Sequence, residues 1–497
     1  MSSRVEISSG RLAGRRDEGV DCFLGIPFAA PPTGPRRFRP PRPVEPWAGV
    51  REATSFGNAA PQNVLATGVL PGMDVGRQGE DCLTLNVYTP AADGGHRPVL
   101  LWIHGGAFVI GAGSQTIYDG RRLARRGDVV VVTINYRLGA LGFLDLGPRF
   151  GDVFAGNLGL RDQIAALGWL RENIARFGGD PGNVTIFGES AGGMSVGTLL
   201  GCPEARGLFQ RAILQSGAAH NAHHREAAAR VLDLFLRELG ASDADALRDA
   251  PLARILEAQL RCMMLAPVDG SPLPFQPTAG DDLLPESPLD AVRAGSAAGV
   301  PVLLGTTRDE WTLFRFMDPG LDALDDAGFA ARVAAGGEAA PVLRLVDAYR
   351  KQTPEARPAE HFLAFETDRT FRIPALRLAD AQAPWAPVYV YEFAWSSPLQ
   401  GGALGACHAI DLPFVFGTLD APGMAAFAGD GADARRLRDD VMDAWIAFAR
   451  DADPCHSSVP FWPRHDPASR PTLVFDRALR VESAPRDGTY RAWEGLL

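Results

Sequence analysis

The sequence predicts an α/β fold built on an open, mostly parallel sheet flanked by helices, and three observations support this prediction. Short segments such as "PVLLWI" at 98–103 are apolar at almost every position, as in parallel strands that are buried on both faces. Helical patterns lie between these segments, and such alternation is typical of parallel sheets. A Gly-rich stretch directly follows one strand, at the strand end where such sheets form their sites.

Five segments have the pattern of strands, because each is a short apolar or β-branched run bounded by turn residues. In chain order they are "PVLLWI" (98–103), "DVVVVTINYRLG" (128–139), "NVTIF" (183–187), "AGVPVLLGTTRDE" (298–310) and "APVYVYEF" (386–393).

A helix is predicted in "LRDQIAALGWLRENIARFG", because apolar residues recur there at steps of three and four. The residues that share this face are Leu160, Ile164, Leu167, Leu170 and Ile174. Gly178 and Gly179 should end the helix.

Two further segments, 225–260 and 320–365, are rich in Ala, Leu and Arg and have helical patterns without intervening strands. We interpret them as helical insertions that cover the sheet and its active site. Residues 1–497 are then expected to form a single domain.

Composition excludes several classes of function. The net charge of −10 argues against nucleic acid and anionic membranes as partners. The six cysteines form no CxxC pair, which argues against the usual zinc sites and favours reduced thiols. The first 20 residues contain no apolar signal-peptide core, and no apolar run approaches the ~20 residues of a membrane span. We therefore expect a cytoplasmic protein without a metal.

The stretch "TIFGESAGGM" at 185–194 has the pattern of a nucleophile elbow, a tight turn between a strand and a helix that exposes Ser190. In a chain with 55 glycines among 497 residues, Gly-x-Ser-x-Gly alone is weak support. Its place after a predicted buried strand makes the elbow the favoured interpretation, with Gly188 and Gly192 required by the tight turn.

A serine nucleophile needs a base and an acid, and in this architecture the chain order is Ser, acid, His. The late histidines are His361, His408, His456 and His465. Of these, His408 lies in a Gly-bounded loop, "GACHAIDLPFVFG", as a loop-borne base requires. The acid should end a strand, and "PVLLGTTRDEW" leaves Asp309 and Glu310 as alternatives.

Oxyanion donors are expected from the N-terminus of the helix after Ser190 and from the loop "IHGGAF" at 103–108. A Gly-rich loop after a strand is also found at phosphate sites. The absence of a following Gly-Lys-Ser/Thr makes that alternative weak.

Seven stretches resemble the successive signatures of the type B carboxylesterase/lipase family, which includes acetylcholinesterase and bacterial para-nitrobenzyl esterases. They are "FLGIPFAAPPTGPRRFRPP", "EDCLTLNVYTP", "LWIHGGAF", "FGGDPGNVTIFGESAGG", "RAILQSG", "TRDEWTLF" and "HAIDLPFVFG". They occur in the family's order and, with "TLVFD" near 476, extend over almost the whole chain. The resemblance implies an α/β-hydrolase fold, an esterase and no cofactor.

The resemblance also implies site residues. Ser190 would be the nucleophile, Glu310 the acid and His408 the base. The amides of Gly106, Ala107 and Ala191 would form the oxyanion hole. Glu189 and Ser216 resemble family positions that orient Glu310 or His408. His220 follows "QSG", a stretch that in the family runs close to the acyl pocket, and is expected to line substrate space. Trp311 and Phe314, which follow the acid, are interpreted as core residues or as part of the pocket wall.

Two positions depart from the family pattern. Ala107 replaces the usual third glycine of the oxyanion loop, which should be tolerated because only its amide is needed. Secreted members pair the cysteine of "EDCL" with one in the segment that matches "FGNAAPQ", where this chain has Ala60, so Cys82 lacks that partner. This agrees with a reducing compartment.

His220, His223 and His224 have a spacing that is compatible with a metal, but no carboxylate or thiol ligand lies nearby in the sequence. We favour a surface or pocket-rim cluster.

The sequence thus predicts a cytoplasmic bacterial serine carboxylesterase, monomeric or homodimeric, that hydrolyses small soluble esters with short acyl chains and tolerates aryl or benzyl alcohols. Lipase and amidase or carbamate hydrolase activities are the alternatives within the fold. A non-catalytic binding module is a weaker hypothesis, because the chain has all three members of the triad.

Overall fold

A computed structural model describes residues 3–63, 71–151, 154–265, 272–334 and 339–496. The strands in this part of the chain are β1 (Arg4–Ile7), β2 (Gly10–Ala13), β3 (Arg15–Asp17), β4 (Val20–Pro27), β5 (Val50–Glu52), β6 (Thr84–Thr89), β7 (Arg97–Ile103), β8 (Val130–Ile134), β9 (Gly179–Glu189), β10 (Arg211–Gln215), β11 (Val302–Thr307), β12 (Val388–Phe393), β13 (Pro471–Phe475) and β14 (Arg480–Ser483).

Eleven of these strands form one sheet, in the order β14-β13-β12-β11-β10-β9-β7-β8-β6-β4-β3. The pairings from β8 through β7, β9, β10, β11 and β12 to β13 are parallel. The outer pairings, β13–β14, β8–β6, β6–β4 and β4–β3, are antiparallel. Strands β1, β2 and β5 form a separate small sheet. The predicted fold class is confirmed, and each of the five predicted segments contains one parallel strand.

The α-helices of the described residues are α1 (Arg121–Gly127), α2 (Gly139–Phe143), α3 (Gly147–Phe150), α4 (Leu158–Asn173), α5 (Ala191–Gly201), α6 (Arg225–Leu239), α7 (Ala244–Asp249), α8 (Leu252–Met264), α9 (Pro288–Arg293), α10 (Asp326–Ala334), α11 (Ala339–Gln352), α12 (Pro358–Thr367), α13 (Ile373–Gln382), α14 (Leu412–Val415), α15 (Met424–Ala428), α16 (Ala432–Asp451) and α17 (Asp487–Ala492). A 3-10 helix spans Glu310–Met317, and a π-helix spans Asp368–Arg372 between α12 and α13.

The predicted helix at 160–174 is α4, followed by one 3-10 turn that ends at Phe177. Gly178 takes the left-handed conformation (φ 79°) directly after it, which a glycine adopts without steric cost. Gly179 is already the first residue of β9. The predicted helix end is confirmed.

The central strands are buried on both faces, which explains their nearly continuous apolar sequences. In β7, Val99, Leu101 and Ile103 belong to one apolar core, while Leu100 and Trp102 belong to a second core on the other face. Helices must therefore cover both faces of the sheet.

The two segments interpreted as insertions are helical where the structure describes them. The first contains α6, α7 and α8, and the second contains α10, α11 and α12. Part of the second segment, 335–338, lies outside the described residues. Phe329, Tyr349 and Phe365 of this segment pack against Trp493 near the end of the chain in a small core of their own. That residues 1–497 form a single domain stays a prediction.

No helix among the described residues is long and apolar enough to cross a membrane. The six cysteines all lie in the described ranges and carry free thiols, five of them buried and Cys455 half-buried.

Candidate active site

Ser190 lies at the sharp turn where β9 ends and α5 begins. Its backbone angles, φ 56° and ψ −126°, are unusual for a residue with a side chain, and such strain is concentrated at functional sites. Two backbone hydrogen bonds stabilise the turn. The amide of Ser190 donates to the carbonyl of Gln215 (2.9 Å), and the amide of Met194 donates to the carbonyl of Ser190 (2.8 Å). This is the conformation expected of a nucleophile elbow.

The two glycines that flank Ser190 are required by close backbone contacts. A Cβ on Gly188 would lie 2.5 Å from the carbonyl carbon of Gly192, and a Cβ on Gly192 would lie 2.0 Å from the carbonyl oxygen of Ile103. The Gly-x-Ser-x-Gly pattern therefore follows from packing of the turn against the end of β7.

His408 is held by a buried carboxylate. Its Nδ1 lies 2.6 Å from Oε2 of Glu310, which is fully buried. The other oxygen of Glu310 accepts a hydrogen bond from the amide of Thr307 at 2.8 Å. A carboxylate in this position fixes the imidazole with Nε2 free for chemistry.

Asp309, the alternative acid, contacts Ala406 and Arg308 rather than His408. Its Oδ2 accepts a hydrogen bond from the amide of Ala406 at 2.8 Å and lies 3.1 Å from the guanidinium of Arg308. Asp309 therefore anchors the loop that carries His408, and the contact with the imidazole belongs to Glu310.

Glu189 approaches the other side of the imidazole. Its Oε1 lies 3.0 Å from Nε2 of His408, but without hydrogen-bond alignment. Burial lowers the pKa of His408, yet Glu189 and Glu310 more than offset this effect and raise it to about 9. Burial likewise raises the pKa of Glu189 to about 8, although His408 opposes the rise. Within the described structure, no hydrogen bond joins Ser190 Oγ to His408.

A third buried carboxylate, Asp411, was not predicted from the sequence. Its Oδ2 accepts a hydrogen bond from Nε2 of Gln215 (2.7 Å), whose Oε1 accepts one from Nε1 of Trp445 (3.2 Å). Burial raises the pKa of Asp411 to about 6, and its charge in turn raises the pKa of His408. The acid three residues after His408 in "HAID" was the available signal.

The loop after β7 runs directly beside Ser190. A Cβ on Gly105 would lie 3.1 Å from Cβ of Ser190. In the described residues, no backbone hydrogen bond uses the amide of Gly106 or Ala107. Ala191 is the first residue of α5, where the N–H has no partner within the helix. These amides therefore have no backbone partner in the described residues and lie on segments next to Ser190.

Two backbone features distinguish this loop. Gly106 has φ 109°, and a Cβ there would lie 2.2 Å from the carbonyl oxygen of Ile110, so glycine is required. Ala107 has φ 54°, which costs a residue with a side chain about 1 kcal/mol or more. The replacement of the family's third glycine therefore carries backbone strain.

His104, the first residue after β7, stabilises this loop through its contacts with Tyr136. It was not predicted as a site residue. Its ring stacks on Tyr136 at 4.5 Å, and the hydroxyl of Tyr136 donates to the carbonyl of His104 at 2.7 Å. Burial lowers the pKa of His104 to about 4, so the imidazole is neutral at physiological pH.

Aromatic rings enclose His408. The ring of Phe314 lies 5.4 Å from the imidazole, and Trp311 packs on Phe314 at 4.8 Å. Phe371, in the π-helix, lies closer still, at 4.8 Å from the imidazole. Sequence reasoning missed Phe371 because its π-helix, a feature frequent at functional sites, has no clear sequence signal.

Two other predicted residues lie near this site with different contacts. Ser216 is fully buried, but its hydroxyl has no hydrogen-bond partner among the described residues, so it bonds neither Glu310 nor His408. His220 is exposed to solvent.

His223 forms hydrogen bonds with protein groups. Its Nε2 lies 3.2 Å from the carbonyl oxygen of Pro274, and its Nδ1 lies 3.1 Å from Nε2 of Gln276. In the parts of the chain that the structure describes, no group of three or more His, Cys, Asp or Glu is placed to hold a metal ion.

The profile of the Carboxylesterase family matches residues 1–493. The para-nitrobenzyl esterase of Bacillus subtilis (strain 168) is 41% identical over 97% of this chain and 96% of its own. The phenmedipham hydrolase of Pseudarthrobacter oxydans is 38% identical over 92% of this chain and 91% of its own.

Solved structures agree with these relatives. A carboxylesterase of Geobacillus stearothermophilus superimposes with a TM-score of 0.90 at 42% identity, covering 99% of both chains. A PNB esterase structure superimposes with a TM-score of 0.89 at 38% identity, also covering 99% of both chains.

Proposed function

The chain belongs to the carboxylesterase family and is a carboxylic ester hydrolase of the α/β-hydrolase fold, and from this premise we propose that Ser190 is its nucleophile, His408 its general base and Glu310 the acid that orients the base. The observation that carries the proposal is the position of His408: Glu310 holds its Nδ1 at 2.6 Å. Its Nε2 faces the turn that exposes Ser190.

In the first half of the reaction, neutral His408 takes the proton of Ser190 as Oγ attacks the ester carbonyl carbon. For this step, Nε2 must exchange its contact with Glu189 for one with Ser190, and catalytic hydrogen bonds often tighten only when substrate binds. The tetrahedral intermediate collapses, the C–O bond to the alcohol breaks, and His408 gives its proton to the leaving oxygen.

In the second half, water replaces the alcohol. His408 takes a proton from the water as the water oxygen attacks the carbonyl carbon of the acyl-enzyme. The bond to Ser190 then breaks, His408 returns the proton to Oγ of Ser190, and the carboxylic acid leaves. Glu310 remains ionised and stabilises the imidazolium in both halves.

The unused amides of Gly106 and Ala107, together with that of Ala191, form the proposed oxyanion hole. Donors of this kind act where negative charge develops, and the loss of one costs about 2.7–4 kcal/mol of transition-state stabilisation. Trp311 and Phe314 form an apolar wall beside the base, and we propose that the exposed His220 lies at the rim of the substrate pocket.

We propose soluble esters with short acyl chains and aryl or benzyl alcohols as substrates. The 41% identity to a protein named para-nitrobenzyl esterase supports the alcohol preference. The 38% identity to a phenmedipham hydrolase makes phenmedipham the compound with which to test a second activity.

We also propose a cytoplasmic location. Six free thiols, five of them buried, agree with a reducing compartment. A monomer or homodimer stays the predicted oligomeric state.

Covalent labelling tests the assignment of Ser190. Phenylmethylsulfonyl fluoride should abolish hydrolysis of para-nitrophenyl acetate and modify one peptide, the one that contains Ser190, as mass spectrometry can establish. The matched control is Ser195→Ala, a change at a buried serine one turn further along α5. That variant should still be labelled, and labelling of any other residue with loss of activity would contradict the proposal.

A further inference from the structure

A cavity lies between α13 and the strands β11, β12 and β13, and none of its lining residues belongs to the proposed catalytic triad or oxyanion hole. Its volume is about 20 Å³, which is room for about one group the size of a water or a small ion, and one end opens towards solvent. Three arginines and one glutamate among its lining residues carry charge: Arg372, Arg470, Arg486 and Glu392. Cationic groups therefore outnumber anionic ones on its wall.

Arg372 contributes a buried donor without a partner. Only 5% of the residue is exposed, and its Nε and Nη2 bind the carboxylate of Asp368 at 2.5 and 2.6 Å. Nη2 also donates to the hydroxyl of Thr489 at 2.8 Å. Nη1, by contrast, is buried and has no hydrogen-bond partner among the described residues. A buried guanidinium N–H left unpaired costs stability unless a ligand or water receives it.

Arg486 contributes a second such donor. Its Nη2 contacts Oε2 of Glu392, but its Nε is buried without a partner in the described part of the chain. Burial and repulsion from Arg372 lower the pKa of Arg486 to about 10. Both effects disfavour the charged guanidinium, and a bound anion would oppose them.

Arg470 completes the cationic side. Its guanidinium contacts Asp487 and lies 4.1 Å from the centre of the ring of Tyr490. The carboxylate of Asp487 is partly exposed, so the interaction is weakened by solvent.

We propose that this cavity binds a small inorganic anion, with Nη1 of Arg372 and Nε of Arg486 as its donors. Guanidinium groups form strong charge-assisted hydrogen bonds with anions. An ordered water is the competing occupant, because buried water commonly satisfies such groups. An experiment can distinguish the two occupants. The affinity of an anion depends on the charges around the cavity, whereas water is uncharged.

Bromide locates the site directly. Crystals of the full-length protein grown in sodium bromide should show an anomalous peak in contact with both donor atoms. A map without a peak in the cavity overturns the proposal, since the cavity then holds water only.

Chloride measures the affinity. The melting temperature of the full-length protein should rise with sodium chloride and saturate, as linkage to binding in the folded state requires. Sodium gluconate at the same ionic strength should give no such rise, because gluconate is too large to enter. An equal rise in both salts overturns the proposal.

Three variants connect the effect to the cavity. Arg486→Gln should lose the chloride-specific rise, while Arg237→Gln, which removes an exposed arginine on α6, should keep it. Glu392→Gln removes the carboxylate that competes for Arg486, so its half-saturating chloride concentration should fall about threefold to tenfold. Retention of the full response in Arg486→Gln, or unchanged or weaker binding in Glu392→Gln, contradicts an anion at these donors.

Discussion

Nε2 of His408 lies 3.0 Å from Oε1 of Glu189, the residue directly before Ser190. His408 therefore lies between two carboxylates, with Glu310 at Nδ1 and Glu189 at Nε2. Both carboxylates stabilise the imidazolium, whereas attack by Ser190 requires the neutral imidazole. In the proposed mechanism, the contact with Glu189 therefore raises the pH above which the base is available.

Activity should fall as the pH decreases through the pKa of His408, because protonation removes the base. That pKa is raised to about 9 in the free enzyme, above the ordinary value for histidine of about 6.5. Glu189→Gln removes one of the charges that raise it, so the acid limb of kcat/KM should move towards lower pH by about one unit or more. The measurement is a pH profile of kcat/KM on para-nitrophenyl acetate.

Glu494→Gln, a change near the end of the chain, is the matched control and should leave this profile in place. A shift of the Glu189→Gln profile towards higher pH would show that Glu189 does not stabilise the imidazolium.

Ser190→Ala and His408→Ala should each lower kcat on the order of 10⁴- to 10⁶-fold while the protein stays folded. Glu310→Gln should also be severe, because it leaves His408 without the carboxylate that holds Nδ1. Rates on para-nitrophenyl acetate and circular dichroism of each variant provide the test.

Asp309→Asn is the matched control for Glu310→Gln and should be mild. Asparagine keeps an oxygen that can accept the hydrogen bond from the amide of Ala406. If Asp309→Asn reduced kcat more than Glu310→Gln did, the assignment of the acid would be wrong.

Phe371→Leu should lower kcat about tenfold and change KM little. The ring of Phe371 lies 4.8 Å from the imidazole, and a smaller side chain gives His408 room to leave its productive orientation, to which catalysis is sensitive. Steady-state kinetics with para-nitrophenyl acetate separates kcat from KM. Phe461→Leu, at a phenylalanine that is 81% exposed, should match the wild type. An equal loss in both variants, or a loss confined to KM, would argue against positioning by Phe371.

Features of the site that depend on local sequence could be predicted. The elbow at Ser190 follows from a strand, two glycines and a helix that are adjacent in the chain, and the end of the 3-10 turn after α4 follows from Gly178. The strand β10 was missed because "RAILQ" has only three consecutive apolar residues, fewer than the four to eight that mark a buried strand.

Features that depend on contacts between distant segments could not be predicted. Asp309 and Glu310 are neighbours of similar chemistry, and only the folded loop shows that Glu310 meets His408 while Asp309 meets Ala406. The contact of Phe371 with His408 likewise requires the path of the π-helix.

Ala107→Gly should leave kcat/KM on para-nitrophenyl acetate within about threefold of the wild type, because the amide remains in place. Relief of strain at φ 54°, about 1 kcal/mol, offsets the greater flexibility of the unfolded chain, so the melting temperature should change little. Ala452→Gly makes the same change at φ 60° after α16 and serves as the control for stability. A loss of more than tenfold in activity from Ala107→Gly alone would show that the methyl group positions substrate.

The acyl preference can be measured with para-nitrophenyl esters of increasing chain length. Each methylene that enters an apolar pocket contributes at most ~0.8 kcal/mol, or about fourfold in kcat/KM. Once the pocket is full, further methylenes must displace packed side chains and become unfavourable. Phe314 and Phe371 contact His408, and Trp311 packs on both of them, so we propose that these rings bound the acyl pocket. We therefore expect a maximum at short acyl chains of about two to six carbons.

The same series distinguishes this enzyme from a lipase when each ester is assayed below and above its solubility limit. An esterase with a cleft open to dissolved substrate follows the free concentration of monomeric ester, so its rate should level off at the solubility limit. A lipase gains rate at that point, because binding at the oil–water interface exposes its site. A jump in rate on crossing into emulsion, or a maximum at twelve or more carbons, would assign the protein to the lipases, since neither result is compatible with a small acyl pocket beside His408.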